Sequence, residues 1–383
     1  MGVWRRVVYC CCCCCCLCCV LVASEPSCRA CALHGEEAPR LYIIERKDGP
    51  GSTLHNVIYA LGVAARNGMN FGGVVSRGEP HMNKGVNVTS MILRALSVGS
   101  GEGLFAKGDA VSRAAFSRTF SSLVKLEKKR NAFQPRDKIL LTAHSMVKER
   151  GIEGLRDVRP NVTLDEYLTP QLLNALRGCR LPWIQGDDTT CKEKDTTTTT
   201  TQSPSKEKRT ASSSSFFGGW FSSRKPAPPP QRPLKVVMHA RRGDHAGAAD
   251  KEFFKVAATI RDLAPNADVH VYSLIEGFNA SLFEQRRFTI HADDIKKVEA
   301  ELLFSLWTEF ATADVMVVDT SSFSIAAAFF NPNCVIYHPY SLHYASDRLV
   351  LQSWVPSTDD LRVRECVKAQ IHRNNNNNNN KKR

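Results

Sequence analysis

The chain has 383 residues, a formal charge of +13 and 43% hydrophobic residues. That length buries a sizeable core and suits two domains or one divided α/β domain. The positive surplus suits an anionic partner, but much of it lies in terminal and low-complexity segments, and no zinc-finger spacing or aromatic and basic interleaving marks a nucleic-acid module.

Nine of the fifteen cysteines fall between Cys10 and Cys19, inside an apolar stretch from Val7 to Ala23 that follows Arg5 and Arg6. A basic start and an apolar run of this length predict a signal peptide or signal anchor, followed by a stem to residue 40. The other six, Cys28, Cys31, Cys179, Cys191, Cys334 and Cys366, can then form disulfides, in a pairing that sequence does not fix. Cys28 and Cys31 have CxxC spacing without a second pair, so no metal site is predicted. Glycosylation triplets at Asn87, Asn161 and Asn279 point to the same secretory route.

Folded sequence is expected from Leu41. A strand at 41–46 runs into Gly49-Pro50-Gly51-Ser52, and residues 54–65 repeat apolar side chains at helical spacing. This is the opening of an α/β unit whose helix amino terminus can face a ligand. A second strand is expected at 70–75, helices at 91–96 and 114–126, and a strand at 138–142. Thr163 and Glu166 form a capping box for a helix reaching residue 175, in which Pro170 marks a kink or a break. The first domain spans 41–186. Residues 187–233, with threonine, serine and proline runs, read as a low-complexity insertion that cannot build a core.

The second domain, 234–368, is more regular. Strands at 234–238, 267–273, 313–318 and 334–337 alternate with helices at 253–263, 298–308 and 323–330, the pattern of a mainly parallel doubly wound sheet. The asparagine-rich segment 369–383 is expected to be a disordered tail.

Two strand ends carry the chemistry. The first strand stops at His239-Ala240-Arg241-Arg242-Gly243-Asp244. In an open α/β sheet, ligands sit beyond the carboxyl ends of strands, so adjacent arginines there are placed to meet an anion. The guanidinium fork suits phosphate oxygens, and Gly243 lets the backbone come close. The competing reading is a solvated loop with Arg242 and Asp244 paired at the surface. The strand at 313–318 ends in Thr320, Ser321 and Ser322, hydroxyl residues that open a helix and can cap amides or present a donor to phosphate. Either pattern alone is ordinary loop chemistry; together they describe a diphosphate site.

His239 to Asp244 closely resembles the HxRRxD motif of the α-1,2 and α-1,6 fucosyltransferases. Ala313-Asp314, with Thr320-Ser321-Ser322-Phe323-Ser324 and the alanine-rich helix after it, resembles their later nucleotide-binding motif, and 288–294 is similar to the stretch leading to their second motif. The likeness runs from Leu234 to Pro339, with a fainter one over 49–69, where Asn56 matches a motif amide.

The resemblance implies a GT-B-like α/β fold of two Rossmann-like units, the carboxyl-terminal one doubly wound and binding a nucleotide sugar. It implies GDP-fucose as donor and no required cofactor. Arg241 and Arg242 match the paired arginines, of which at least one is expected to meet the β-phosphate. His239, Thr320, Ser321 and Ser322 fall on the nucleotide side, Asp314 matches a carboxylate that reads guanine, and Asp244 matches an organiser of the arginines. The reaction implied is inverting transfer of fucose to a hydroxyl of a glycan or glycoprotein. The setting implied is a Golgi or other secretory membrane, spanned once in type II orientation by the amino-terminal segment. A general base has three candidates, Asp244, His55 and Glu79. Ile325 and Ala326 replace the tryptophans of the α-1,2 enzymes, and the early Gly-Asn-Gln pattern is poorly kept, which leaves the linkage open. The alternatives are another donor sugar on the same cradle, or a noncatalytic membrane-tethered protein that binds glycan or nucleotide.

Overall fold

The structure, a computed structural model, describes residues 34–44, 49–75, 82–83, 86–87, 92, 116–142, 162–178, 232–242, 247–293, 300–339 and 350–380. The amino-terminal apolar stretch, nearly all of the insertion and of the helix expected at 91–96, and Cys28, Cys31, Cys179, Cys191, Glu79, Asn161 and Asp244 lie outside the described residues. Among the described residues, no helix is long and apolar enough to cross a membrane. The chain divides into two compact units, Met1–Arg180 and Leu181–Arg383.

In the first unit, β1 (Arg40–Ile44), α1 (Pro50–Arg66) and β2 (Asn70–Val75) form a parallel β-α-β crossover. After the exposed Arg40, β1 is apolar and Leu41, Tyr42 and Ile43 are all buried, as expected for a strand covered on both faces. Gly49, at φ 115°, turns the chain into α1, and Pro50 sits in the first turn, where its missing N–H has no helical partner to lose. The short β3 (Met82–Asn83) and β4 (Val86–Asn87) pair antiparallel. Then come β5 (Arg118–Phe120), α2 (Leu123–Lys128) and β6 (Lys138–Leu141), and the four-stranded sheet has the order β2-β1-β6-β5, all parallel.

The helix expected at 114–126 is therefore corrected. Arg118–Phe120 pairs with β6, and the helix begins only after Ser122, whose Oγ accepts from Lys125 N at 3.3 Å. Strand pairing with a distant partner overrides local helical spacing here. The Thr163–Glu166 capping box forms, but over a single 3-10 turn. α3 (Pro170–Gly178) starts afresh with Pro170, because proline has no N–H to continue the ladder across that point.

The second unit contains β7 (Lys235–His239), α4 (Asp250–Leu263), β8 (Asp268–Leu274), α5 (Ala280–Glu284), β9 (Thr289–Asp293), α6 (Ala300–Thr312), β10 (Val315–Val318), α7 (Ser322–Ala328), β11 (Cys334–Tyr337), β12 (Val355–Pro356) and α8 (Asp360–Asn380). Its sheet has the order β12-β11-β10-β7-β8-β9, with every pair parallel. This is the dinucleotide-binding, doubly wound order, with β7 as its first strand, and its direction of winding reverses between β7 and β10. The expected α/β fold of two units with parallel sheets is observed. A disulfide between Cys334 and Cys366, with Cα atoms 5.6 Å apart, fastens β11 to α8.

The tail expected to be disordered from residue 369 instead continues α8 to Asn380. Val363, Val367 and Gln370 are buried, and Arg373 Nη1 donates to Asn333 Oδ1 at 3.0 Å. Extending a helix already nucleated and packed costs little per residue, even for a poor helix former such as asparagine.

Candidate functional site

The carboxyl ends of β7 and β10 flank the reversal point of the second sheet, where a crevice for ligands is built into this topology. β7 delivers His239, Arg241 and Arg242 there; β10 delivers Asp319, Thr320, Ser321 and Ser322. Val236, Val237 and Met238 on one strand and Val315 to Val318 on the other are buried, so both strand ends are rigidly placed.

Asp319 joins the two loops. Its side chain is fully buried and accepts hydrogen bonds from Arg241 N at 2.9 Å, Ala248 N at 2.9 Å and Thr320 N at 2.7 Å. Thr320 Oγ1 adds a longer bond of 3.3 Å, and Arg242 Nη1 lies 3.8 Å from Asp319 Oδ2. Burial by itself raises the pKa of this carboxyl, but the backbone N–H bonds from Ala248, Thr320 and Arg241, with charge at His239, outweigh it and hold the group below its ordinary value. A buried carboxylate thus fixes the backbone on which both arginines sit. Gly247 is part of the same arrangement: a Cβ there would lie 2.1 Å from Asp319 Oδ2 and 2.6 Å from Arg241 O.

The arginines differ in their surroundings. Arg242 donates through Nη1 to Arg241 O at 2.6 Å, pairs with Asp250, and lies over the Phe253 ring at 5.7 Å. Its guanidinium is mostly buried and built into the protein. Arg241 is half-buried, with its backbone pinned by Asp319.

Two histidines flank the carboxylate. His239, half-buried at the end of β7, packs near Phe310 and Phe323, and its buried Nδ1 has no hydrogen-bond partner in the structure. Burial pushes its pKa down to about 4; Asp319 opposes the shift, while Arg241 and Arg242 reinforce it. His338, just past β11, shares a hydrogen bond of 2.8 Å with Ser357 Oγ and meets Phe253 edge to face at 4.6 Å. Burial pushes it down to about 4 as well, against Asp319 and Glu252 and with Arg242. Both imidazoles are neutral near pH 7.

The hydroxyl residues are less available than expected. Thr320 bonds to Asp319, and Ser321 occupies the N-cap position of α7 without its side chain capping any amide. Ser324 Oγ instead donates to Ser321 O at 3.2 Å, closing that turn. The capping role expected of Ser321 or Ser322 is not realised at the N-cap, Ser321.

Asp314 is corrected outright. It precedes β10, at the amino end of the sheet, roughly 16 Å along the strand from Asp319 at ~3.3 Å per residue. Its carboxylate accepts from Arg232 Nη2 at 2.7 and 2.9 Å and from Lys235 N at 2.8 Å, fastening the start of β7 to β10. It is a structural clamp away from the arginine loop. Asp319, His338 and Gly247 are the site residues that sequence reasoning missed. The available signal was a polar residue terminating an otherwise apolar strand: Asp319 follows β10 and His338 follows β11 as His239 ends β7.

No family model matches the chain, and no curated protein matches it. Among solved structures, a mutant of the FUT1 protein of Arabidopsis thaliana in complex with GDP is similar, at 11% identity and a TM-score of 0.37. The match covers 85% of this chain and 75% of that one.

Proposed function

We propose that the second unit binds the diphosphate of GDP-fucose and that the protein is an inverting glycosyltransferase acting on a hydroxyl of a glycan or glycoprotein. One observation carries the reading: the HxRRxD-like loop and the Thr-Ser-Ser loop, far apart in sequence, meet at the reversal point of a doubly wound sheet and are tied together by Asp319. The motif resemblance supplies the donor's identity.

In this reading Arg241 meets the β-phosphate, while Arg242 and Asp319 hold the loop in shape. Ser321 and Ser322 line the phosphate side, and neutral His239 sits beneath the arginine loop at the end of β7. As the bond to the sugar breaks, negative charge grows on the departing diphosphate and cation-like character on the sugar. Preorganised guanidinium groups stabilise that charge without reorganising, the role a metal ion plays in other transferases. Asp244 is assigned to organising the arginines. The secretory setting, with a type II anchor in the Golgi or another secretory membrane, is supported by the apolar amino-terminal stretch and by the Cys334–Cys366 disulfide.

The test is calorimetric titration of the purified protein with GDP and GDP-fucose, with UDP as control. Arg241→Ala should weaken GDP binding by about 1.5–3 kcal/mol, the range for a hydrogen bond to a charged group, whereas Lys251→Ala, on the surface of α4, should leave it unchanged. Folded protein that ignores GDP, or equal small effects of the two substitutions, would overturn the assignment.

A further inference from the structure

We infer that Asn279 carries an N-linked glycan, at the rim of the sheet end that holds the candidate site. Of the three glycosylation triplets, the one at Asn279 is described in full. β8 ends at Leu274, Gly277 reverses the chain at φ 73°, and Asn279 is the N-cap of α5. Both Asn279 and Ser281 are exposed. Phe278 packs on Phe283 with ring centroids 4.8 Å apart, so the turn is anchored from below while the asparagine faces water.

The hydrogen bonding divides the asparagine amide in a way that suits modification. Oδ1 accepts from Leu282 N at 3.3 Å, and among the described residues Nδ2 has no hydrogen-bond partner. Glycosylation uses Nδ2 alone. A bond forms from Nδ2 to sugar carbon one of a lipid-diphosphate-linked oligosaccharide, the bond from that carbon to the diphosphate oxygen breaks, and the amide proton leaves with the diphosphate. Oδ1 remains a carbonyl oxygen, so the N-cap survives the attachment. The sugar would also cover Ile275, an unusually exposed large apolar side chain at 58% exposure, four residues away.

The inference rests on the secretory part of the proposed function. The Cys334–Cys366 disulfide, already part of the support for that setting, can be read out separately from the glycan, because such bonds form where the lumen is oxidising.

The test uses the full chain with its own amino terminus, expressed in a eukaryotic secretory cell. Peptides are treated with N-glycan amidase in heavy-oxygen water, and cysteine pairing is mapped without reduction. The expected result is conversion of Asn279 to labelled Asp. Ser281→Ala, which leaves the Asn279 cap in place, should abolish it, and Ser281→Thr should retain it. A formed Cys334–Cys366 disulfide with Asn279 unmodified would overturn the glycan and spare the compartment. Reduced cysteines with no sugar would overturn both, and GDP binding by that same protein would leave the donor reading standing.

Discussion

Replacing Asp319 by asparagine keeps the shape of the side chain and removes its charge, which makes it the sharpest probe of the loop junction. Oδ1 faces Thr320 N at 2.7 Å and Ala248 N at 2.9 Å, while Oδ2 faces Arg241 N at 2.9 Å and the Arg242 guanidinium at 3.8 Å. An amide must turn its NH2 toward one of these donor sets, leaving at least one buried N–H facing another donor. The charged acceptor that stabilised the rest is also lost. Hydrogen bonds to a charged group contribute ~1.5–3 kcal/mol each, so the expected loss is about 3 kcal/mol after partial rearrangement. With a urea dependence of ~2 kcal/mol per molar, the unfolding midpoint should fall by about 1.5 M. GDP binding should weaken in parallel, since the backbone under Arg241 is no longer fixed. Asp314→Asn is the matched comparison: it should also lower stability, through Arg232 and Lys235, yet spare GDP binding because it lies at the other end of β10. An Asp319→Asn midpoint within error of wild type, or loss of GDP binding in folded Asp314→Asn, would refute the geometry.

Acid should destabilise the second unit before its carboxylates titrate. With His239 and His338 both lowered to about 4, the unfolded chain takes up protons from ~pH 6.5 downward while the folded one does not until about 4. Stability therefore falls across that window by about 3 kcal/mol per histidine, and His338→Gln should flatten the profile in urea melts. Unchanged midpoints between about pH 7 and pH 5 would rule this out. Asp319 acts in the same sense over a lower range: its depressed pKa preserves a contribution above the ordinary carboxylate range, which is lost as pH falls below it. Gly247→Ala should cost about 1–3 kcal/mol by pushing Asp319 off its partners, whereas Gly35→Ala, with nothing within 4 Å of its Cβ, should melt as wild type.

The sequence by itself determined four of the six described strands of the second unit and missed β9 and β12. A strand covered on both faces is apolar in its buried stretch, so residues 236–238, 315–318 and 334–337 announce themselves as short runs bounded by polar residues. It also determined the Thr163 capping box, a contact across three residues, and the two polar loops after β7 and β10. Tertiary structure decided what those loops contain. Asp314 and Asp319 bracket the same strand, and motif resemblance favoured the former. Parallel pairing puts Asp319 beside the arginine loop, with Arg241 N as a partner 78 positions away, and leaves Asp314 clamping the opposite end. β5 likewise became a strand because β6 offered it backbone partners, and α8 ran on through the asparagines because its earlier turns were already packed. Periodicity and caps are written in neighbouring residues; the partner of a buried charge depends on strand order, which no local window contains.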